Sequence, residues 1–137
     1  MNKLLILFLL LPSIPCFSDD IKIVRVIDGD TVVISAPFLP KPLKPTIPLR
    51  IGGVDTPEKG KRAHCKSEAE LGEAATTFTK DLVSQAKTVD IIIKGEDKYF
   101  RLLGDVLLDG KSLKDSLLEK GFAHVYHGEK KQSWCEQ

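Results

Sequence analysis

Runs of β-branched residues broken by acidic turns dominate the hydrophobic pattern of this chain. From Ile21 to Ser35 the residues are mostly Ile and Val, interrupted by Asp28-Gly29-Asp30. That pattern predicts two strands meeting at a tight turn or bulge, where glycine permits unusual backbone angles. From Ala36 to Pro48 there are five prolines, at 37, 40, 42, 45 and 48. They exclude a sheet interior and predict a surface loop. Strand character resumes from Leu49 to Val54, and Asp55-Thr56-Pro57 stops it. After the basic loop Lys59 to His64, Ser67-Glu68-Ala69-Glu70 has the form of a capping box: Ser67 accepts a helix N–H and Glu70 reaches back. Leu71, Ala74, Ala75, Phe78 and Leu82 follow at helical spacing, so one long helix ends near Ala86 with one face buried. Val89 to Lys94 reads as a strand, Gly95-Glu96-Asp97 as a turn and Tyr99 to Leu108 as the returning strand. Asp109-Gly110 is another turn. Ser112 is the N-cap of a short helix carrying Leu113, Leu117 and Leu118, and Gly121 sits where its C-terminal cap belongs. Phe122 to Tyr126 is a last extended segment.

The order strand, strand, strand, helix, strand, strand, short helix is that of a mainly β, α+β protein. It matches a five-stranded OB-fold barrel capped by one long helix, with a short second helix. Such barrels often hold nucleic acids or oligosaccharides, but a fold does not establish a function.

The N-terminus departs from this pattern. Met1-Asn2-Lys3 precedes the apolar run Leu4 to Leu11, and small residues stand at Cys16 and Ser18. This describes a secretory signal peptide over residues 1–18, leaving one domain over 19–137 and a secreted or periplasmic protein. The run is far shorter than the roughly 20 apolar residues of a spanning helix. A lipid anchor on Cys16 is the minor alternative, since Ile14-Pro15 lacks the small residues such sites prefer. No stable membrane anchor is therefore expected after cleavage, and a monomer is expected because no strand edge or apolar helix face is left unassigned.

Charge narrows the chemistry. Of 20 Lys and Arg against 19 Asp and Glu, Lys3 falls in the leader, so the remaining domain is balanced. A generic basic nucleic-acid binder is disfavoured, and any phosphate recognition must come from local clusters. Cleavage also leaves two cysteines, Cys65 and Cys135. In an oxidising compartment an even pair in a small domain reads first as a disulfide, with two buried thiols as the alternative. A bridge closing so long a loop contributes roughly 4 kcal/mol in the chain-entropy model. Neither cysteine has a metal-ligand pattern around it.

Three short pieces carry the candidate chemistry. Val26-Ile-Asp28-Gly-Asp30-Thr31 and Leu49-Arg50-Ile-Gly-Gly-Val-Asp55-Thr56-Pro57-Glu58 bring carboxylates and an arginine from neighbouring strands. Asp97-Lys98-Tyr99-Phe100-Arg101 brings a second arginine. Clustered carboxylates attract a hard cation, and arginines attract phosphate. Taken singly, each has a plainer explanation: Arg50 as a rim ion pair, Asp28-Gly29 as turn chemistry, Tyr99 as cross-strand packing.

Together and in this order, the three pieces resemble the staphylococcal nuclease (thermonuclease) family, from about Ile21 to Val125. The resemblance implies that Asp30, Asp55 and the main-chain carbonyl of Thr56 bind a calcium ion. Glu58 would orient or deprotonate the attacking water, and Arg50 and Arg101 would bind phosphate and stabilise charge in the transition state. Lys98 and Tyr99 would contact the terminal phosphate, and Asp28 would have a supporting role. Tyr126 or His127 lies where the family places base-stacking tyrosines; His64 and His124 read as surface or groove residues. The implied activity is calcium-dependent, sequence-nonspecific hydrolysis of DNA and/or RNA. Elementary chemistry agrees. Phosphodiester hydrolysis needs an activated water and positive charge around phosphorus. Calcium acidifies water poorly, which leaves work for a carboxylate such as Glu58. Two arginines fork onto phosphate oxygens better than lysines do.

Three departures stand beside the resemblance: Phe100 replaces a usual glycine, the proline-rich loop is longer, and the family's C-terminal helix is not apparent. A Cys65–Cys135 bridge is expected to tie down the tail in its place. The alternatives are a non-catalytic OB-fold nucleic-acid-binding module and a secreted structural domain. Neither explains the full set of acids and arginines.

Overall fold

The computed structural model describes residues 21–99 and 101–135. The segment read as a signal peptide, and Phe100, lie outside them. The elements are β1 (Ile23–Asp28), β2 (Thr31–Ser35), β3 (Thr46–Ile51), β4 (Val54–Asp55), α1 (Lys66–Gln85), β5 (Val89–Glu96), β6 (Leu102–Leu108), β7 (Lys111–Ser112), α2 (Leu113–Lys120) and β8 (His124–Val125).

Five strands form one sheet in the order β1-β2-β3-β6-β5, with β7 added to β6. β1, β2 and β3 are antiparallel, β3 and β6 run parallel, and β5 returns antiparallel to β6. The expected strand order along the chain holds, and so does the helix between the third and fourth long strands. The closed five-stranded barrel does not: among the described residues β1 and β5 are not paired, and β4 and β8 form a separate two-stranded ribbon. The core lies between the sheet and the helices, built from Val32, Ile34, Leu49, Ile51, Val106, Leu113 and Leu117, with Phe78 of α1 tilted on Phe122 at 5.3 Å.

Four local expectations are corrected. β3 begins inside the proline-rich stretch, with Thr46, Ile47 and Pro48 paired to Ser35, Ile34 and Val33. Pairing to β6 starts only at Leu49, so at Pro48 the strand has one neighbour and tolerates a residue without an N–H. β5 continues through Glu96, with a register shift between Ile93 and Gly95, and β6 starts at Leu102 rather than Tyr99. Asp97 builds the intervening turn by accepting the N–H groups of Tyr99 and Arg101 at 2.8 and 3.0 Å. Among the described residues no strand pairs with the outer edge of β5, where Ile92 and Ile93 are exposed; Asp90, Lys94 and Glu96 on the same strand discourage edge pairing.

The fourth correction concerns α1. Its N-cap is Cys65, not Ser67, and Glu68 rather than Glu70 reaches back, to the N–H of His64 at 2.7 Å. Leu71 and Ala74 are exposed; the buried stripe is Glu68, Gly72, Ala75, Thr76 and Thr79. The small residues from Gly72 to Thr79 in this stripe let the helix lie close on the loops that carry the acids. At Gly72 an added Cβ would run into the Glu58 main-chain carbonyl. The short second helix conforms to expectation, with Ser112 at its N-cap and Gly121 left-handed at φ 77°.

Gly72→Ala therefore tests the packing by its sign. In an unobstructed helix the change stabilises by roughly 0.4–1 kcal/mol. Here overpacking against main chain is expected to destabilise by about 1–3 kcal/mol, read from the urea midpoint. A gain in stability would show that α1 does not press on residues 57 and 58.

Candidate active site

Asp30 is placed by the β1–β2 turn. Gly29 lies under α1, where an added Cβ would stand 3.0 Å from the Ala75 Cβ and 3.1 Å from the Thr56 Cγ2. Its carbonyl accepts the Thr79 hydroxyl at 2.7 Å. The helix thus holds the turn that aims Asp30 inward, leaving it 3% exposed. Register does the rest: Thr31 pairs with Arg50 across β2 and β3, so the guanidinium emerges beside the Asp30 carboxylate.

Arg50 spans the two buried acids. Its Nη1 is 3.2 Å from both Asp30 oxygens, while Nη2 reaches the Val54 carbonyl at 3.3 Å and Asp55 Oδ1 at 3.4 Å. Thr56 donates its N–H to Asp30 Oδ2 at 3.2 Å, which closes the 54–56 segment onto the first turn. The convergence of Asp30, Arg50, Asp55 and Thr56 foreseen from the motifs is present.

Glu58 stands at the rim, its side chain 29% exposed. Its N–H is held by Glu68 Oε1 at 3.2 Å. Its carboxylate pairs with Arg62 Nε at 3.3 Å and lies 3.8 Å from Lys131 Nζ. Arg62 also grips Asp28 at 2.8 and 2.9 Å, with Lys59 at 3.9 Å. A cleft of about 440 Å³ opens here, between Asp55, Glu58, Arg62, His64 and Glu68 on one side and Lys130 to Cys135 on the other.

Electrostatics separates the buried acids. Burial pushes the Asp30 carboxyl above its usual value, against Arg50, the Thr56 N–H and the Thr31 hydroxyl. Glu68 is the opposite case: burial raises it, but the N–H groups of His64 and Glu58 and the His64 ring outweigh that and hold it low. Burial would lower Lys131, yet its contact with Asp55 raises it.

The donor set suits a hard cation. Asp30, Asp55 and Thr56 offer oxygen alone, and the protonation bias at Asp30 shows that Arg50 does not fully offset its burial. An ammonium already stands on Asp55 Oδ1. Asp30, Asp55 and Glu58 do not bring three ligand atoms within 4.8 Å of one another; among the described residues only Cys65, Glu68 and Cys135 do. That trio is no metal site, because its sulfurs are joined in the expected disulfide and a thiolate is what binds metal.

The third motif is not joined to the others. Arg101 pairs with Asp97 Oδ2 at 2.7 Å and makes no ion pair with Asp30, Asp55 or Glu58 among the described residues. Lys98 and Arg101 lie 5.2 and 5.5 Å from the Tyr99 ring, and Tyr99 is 66% exposed. Leu103 sits beside Arg50 in the β3–β6 register, and Arg101 precedes β6 in the turn built by Asp97. Tyr126 lies 5.9 Å from Lys131 Nζ, whereas the His127 N–H is bonded to Glu129. The motifs did not single out Lys131, Arg62 or Glu68. Arg62 lay in a basic loop already noticed beside the acids; nothing local to the sequence marked Lys131.

An open OB-like sheet thus carries a helix seated on its acidic turn and an arginine bridging two buried aspartates. A family model described as staphylococcal nuclease homologue matches residues 48–137. An uncharacterized endonuclease of Escherichia coli O157:H7 is 31% identical over 129 residues, covering 92% of this chain and 74% of that protein. Endonuclease YncB of Bacillus subtilis (strain 168) is 39% identical over 103 residues, 74% of this chain and 45% of the relative. The SPbeta prophage-derived endonuclease YokF of the same organism is 34% identical over 108 residues, 77% and 34% respectively. The chain thus spans less than half the length of these two Bacillus relatives. It belongs to the staphylococcal nuclease family.

The Glu68 network sets a pH test. Its folded value lies below the ordinary 4.5, so its stabilising contribution is present above that value and is lost as pH falls through the lowered one. Glu68→Gln is expected to lose about 1–3 kcal/mol at pH 7, with the gap to wild type closing toward pH 3. Urea unfolding at both pH values measures it, and a gap independent of pH would remove the charge from the argument.

Proposed function

We propose that this protein is a calcium-dependent, sequence-nonspecific nuclease that hydrolyses phosphodiester bonds of DNA and/or RNA. One observation carries the reading: Arg50 lies between two buried aspartates, one in the β1–β2 turn and one on β4, 3.2 and 3.4 Å from them, with the partly exposed carboxylate of Glu58 at the rim. Asp30, Asp55 and the Thr56 carbonyl would hold the cation, which supplies positive charge against the phosphate. Arg50 presents two N–H donors to non-bridging phosphate oxygens, where negative charge accumulates. Glu58 takes a proton from a water as the oxygen bonds to phosphorus, and the ester oxygen opposite departs with the P–O electrons.

Arg101 would join by exchanging Asp97 for phosphate, with Lys98 and Tyr99 near it on the turn. No group in this set reads a base edge, which favours weak sequence preference. The Cys65–Cys135 bridge supports an oxidising compartment, and with the leader-like residues 1–18 we assign a secreted or periplasmic location. No helix among the described residues is long and apolar enough to cross a membrane. We take the working form to be a monomer.

A DNA gel assay with calcium and with chelator tests the reading. Cleavage is expected only with calcium, and cleavage that persists in chelator would overturn the metal assignment. Glu58→Gln should lower kcat by about 10²–10⁴ with an unaltered thermal melt, and Arg101→Gly should remove nearly all turnover. DNA retained without being cut would instead favour the binding module.

A further inference from the structure

The segment after β8 carries a positive charge into the centre of the candidate site. Lys131 Nζ lies 2.6 Å from Asp55 Oδ1 and 3.8 Å from Glu58 Oε1. One ammonium therefore touches an aspartate assigned to the cation and approaches the glutamate assigned to the water. Its position is not left to chance. β8 pairs with β4 so that His124 is opposite Asp55. Trp134 stacks on the His124 ring, with centroids 3.7 Å apart and planes within 5°. Cys135 is then bonded to Cys65 at the N-cap of α1. The stack leaves His124 Nδ1 and Trp134 Nε1 buried without hydrogen-bond partners, so the covalent bridge is the firmer of the two anchors. Between these fixed points Lys131 faces the cleft that the tail itself walls, with its side chain 46% exposed.

We propose that Lys131 is a phosphate-binding residue of this site, and that it occupies the cation's place on Asp55 until cation and phosphate arrive. For the identity of the anion this rests on the nuclease reading. A divalent cation ligated by Asp55 stands about 2.4 Å from its oxygen, nearly where the ammonium stands at 2.6 Å. Two cations on one oxygen of a buried carboxylate repel strongly, because little solvent screens them. Cation binding therefore releases the lysine. The tether keeps it from leaving: Cys135 is four residues on, and its partner Cys65 belongs to the helix that carries Glu68. The freed ammonium remains in the cleft, where the anion that accompanies the cation must lie.

Lysine suits that role. Its ammonium is a compact charge on a flexible stem, and it binds phosphate as a point charge without needing a fixed approach. Arg62, the other cation at the rim, is held on both oxygens of Asp28 and on Glu58. Arg50, already assigned to the phosphate, sits on the same two aspartates. Lys131 is a second cation here whose main partner is one that a metal would take away.

Lys131→Met keeps the apolar stem and removes the charge. Calcium binding to the metal-free, disulfide-intact protein, measured by calorimetry, is expected to tighten by about tenfold in the variant, the worth of one charge-assisted contact. With saturating calcium, KM for DNA should rise by about tenfold, kcat should change far less, and Lys131→Arg should restore KM. Calcium affinity and KM both as in wild type would overturn the proposal. Weaker calcium binding would overturn it too, by making the lysine a support for the site. Tighter calcium binding with an unaltered KM would overturn the phosphate assignment. Wild-type protein that binds calcium and cuts no DNA would fail the nuclease reading instead, while the calorimetry still decides whether Lys131 and calcium compete.

Discussion

Two carboxylates buried to within a few per cent of full enclosure cannot both stay ionised near each other unless a cation lies between them. Arg50 meets that constraint, and most of the surrounding architecture serves to keep it there. The planar guanidinium reaches Asp30 with one nitrogen and Asp55 with the other, a span that a lysine ammonium would not bridge in the same way. Such an arrangement is weak evidence for stability. Desolvating three charges costs several kcal/mol per ion, and a hydrophobic replacement of equal volume is often no worse. The raised Asp30 carboxyl shows the balance to be incomplete even with Arg50 in place. On the proposed reading, the cluster is kept for chemistry and not for stability.

Geometry around Arg50 is set by contacts that look modest one at a time. Strand register delivers the guanidinium beside Thr31 and thus beside Asp30. The small face of α1 lets Gly29 and the Pro57-Glu58 main chain come close to the helix. Glu68 then ties the Glu58 N–H to that same helix. Local packing and site geometry are therefore one problem here. A methyl group added at residue 72 presses on the backbone that carries Glu58, so a change in the core acts at the rim.

Much of this was legible before the fold was known. The first two acidic motifs located Asp30, Arg50, Asp55, Thr56 and Glu58, because carboxylates at the ends of β-branched runs are a local signal. The pairing of Cys65 with Cys135 followed from arithmetic and the expectation of an oxidising compartment. What escaped had non-local causes. Lys131 meets Asp55 only because a disulfide and a short ribbon fold the tail back, and no spacing in the sequence encodes that. The capping pattern fits both Cys65-x-x-Glu68 and Ser67-x-x-Glu70, and preference for a hydroxyl chose the wrong one. The buried face of α1 was sought among Leu71 and Ala74, whereas close approach demanded glycine, alanine and threonine. Proline at 48 argued for a loop, although a strand with one neighbour at that point accepts it.

The balanced net charge acquires a meaning from the same contacts. Each acid of the site already has a cation from its own chain: Asp28 has Arg62 and Lys59, Asp30 has Arg50, Asp55 has Arg50 and Lys131, and Glu58 has Arg62 and Lys131. Without ligand the cluster is electrically satisfied, so it neither repels a polyanion at long range nor draws one in strongly. On the proposed reading, a divalent cation and a phosphodiester enter together as a partly compensated pair. The carboxylates then exchange a protein cation for the metal, and the released protein cation takes the phosphate. The lysine and the phosphodiester neutralise each other while the carboxylates gain the second charge of the metal, which keeps the electrostatic cost of loading the site low. That economy requires a cation both mobile enough to change partners and unable to leave, and a lysine between a stacked tryptophan and a cystine on one side and a strand ribbon on the other has both properties.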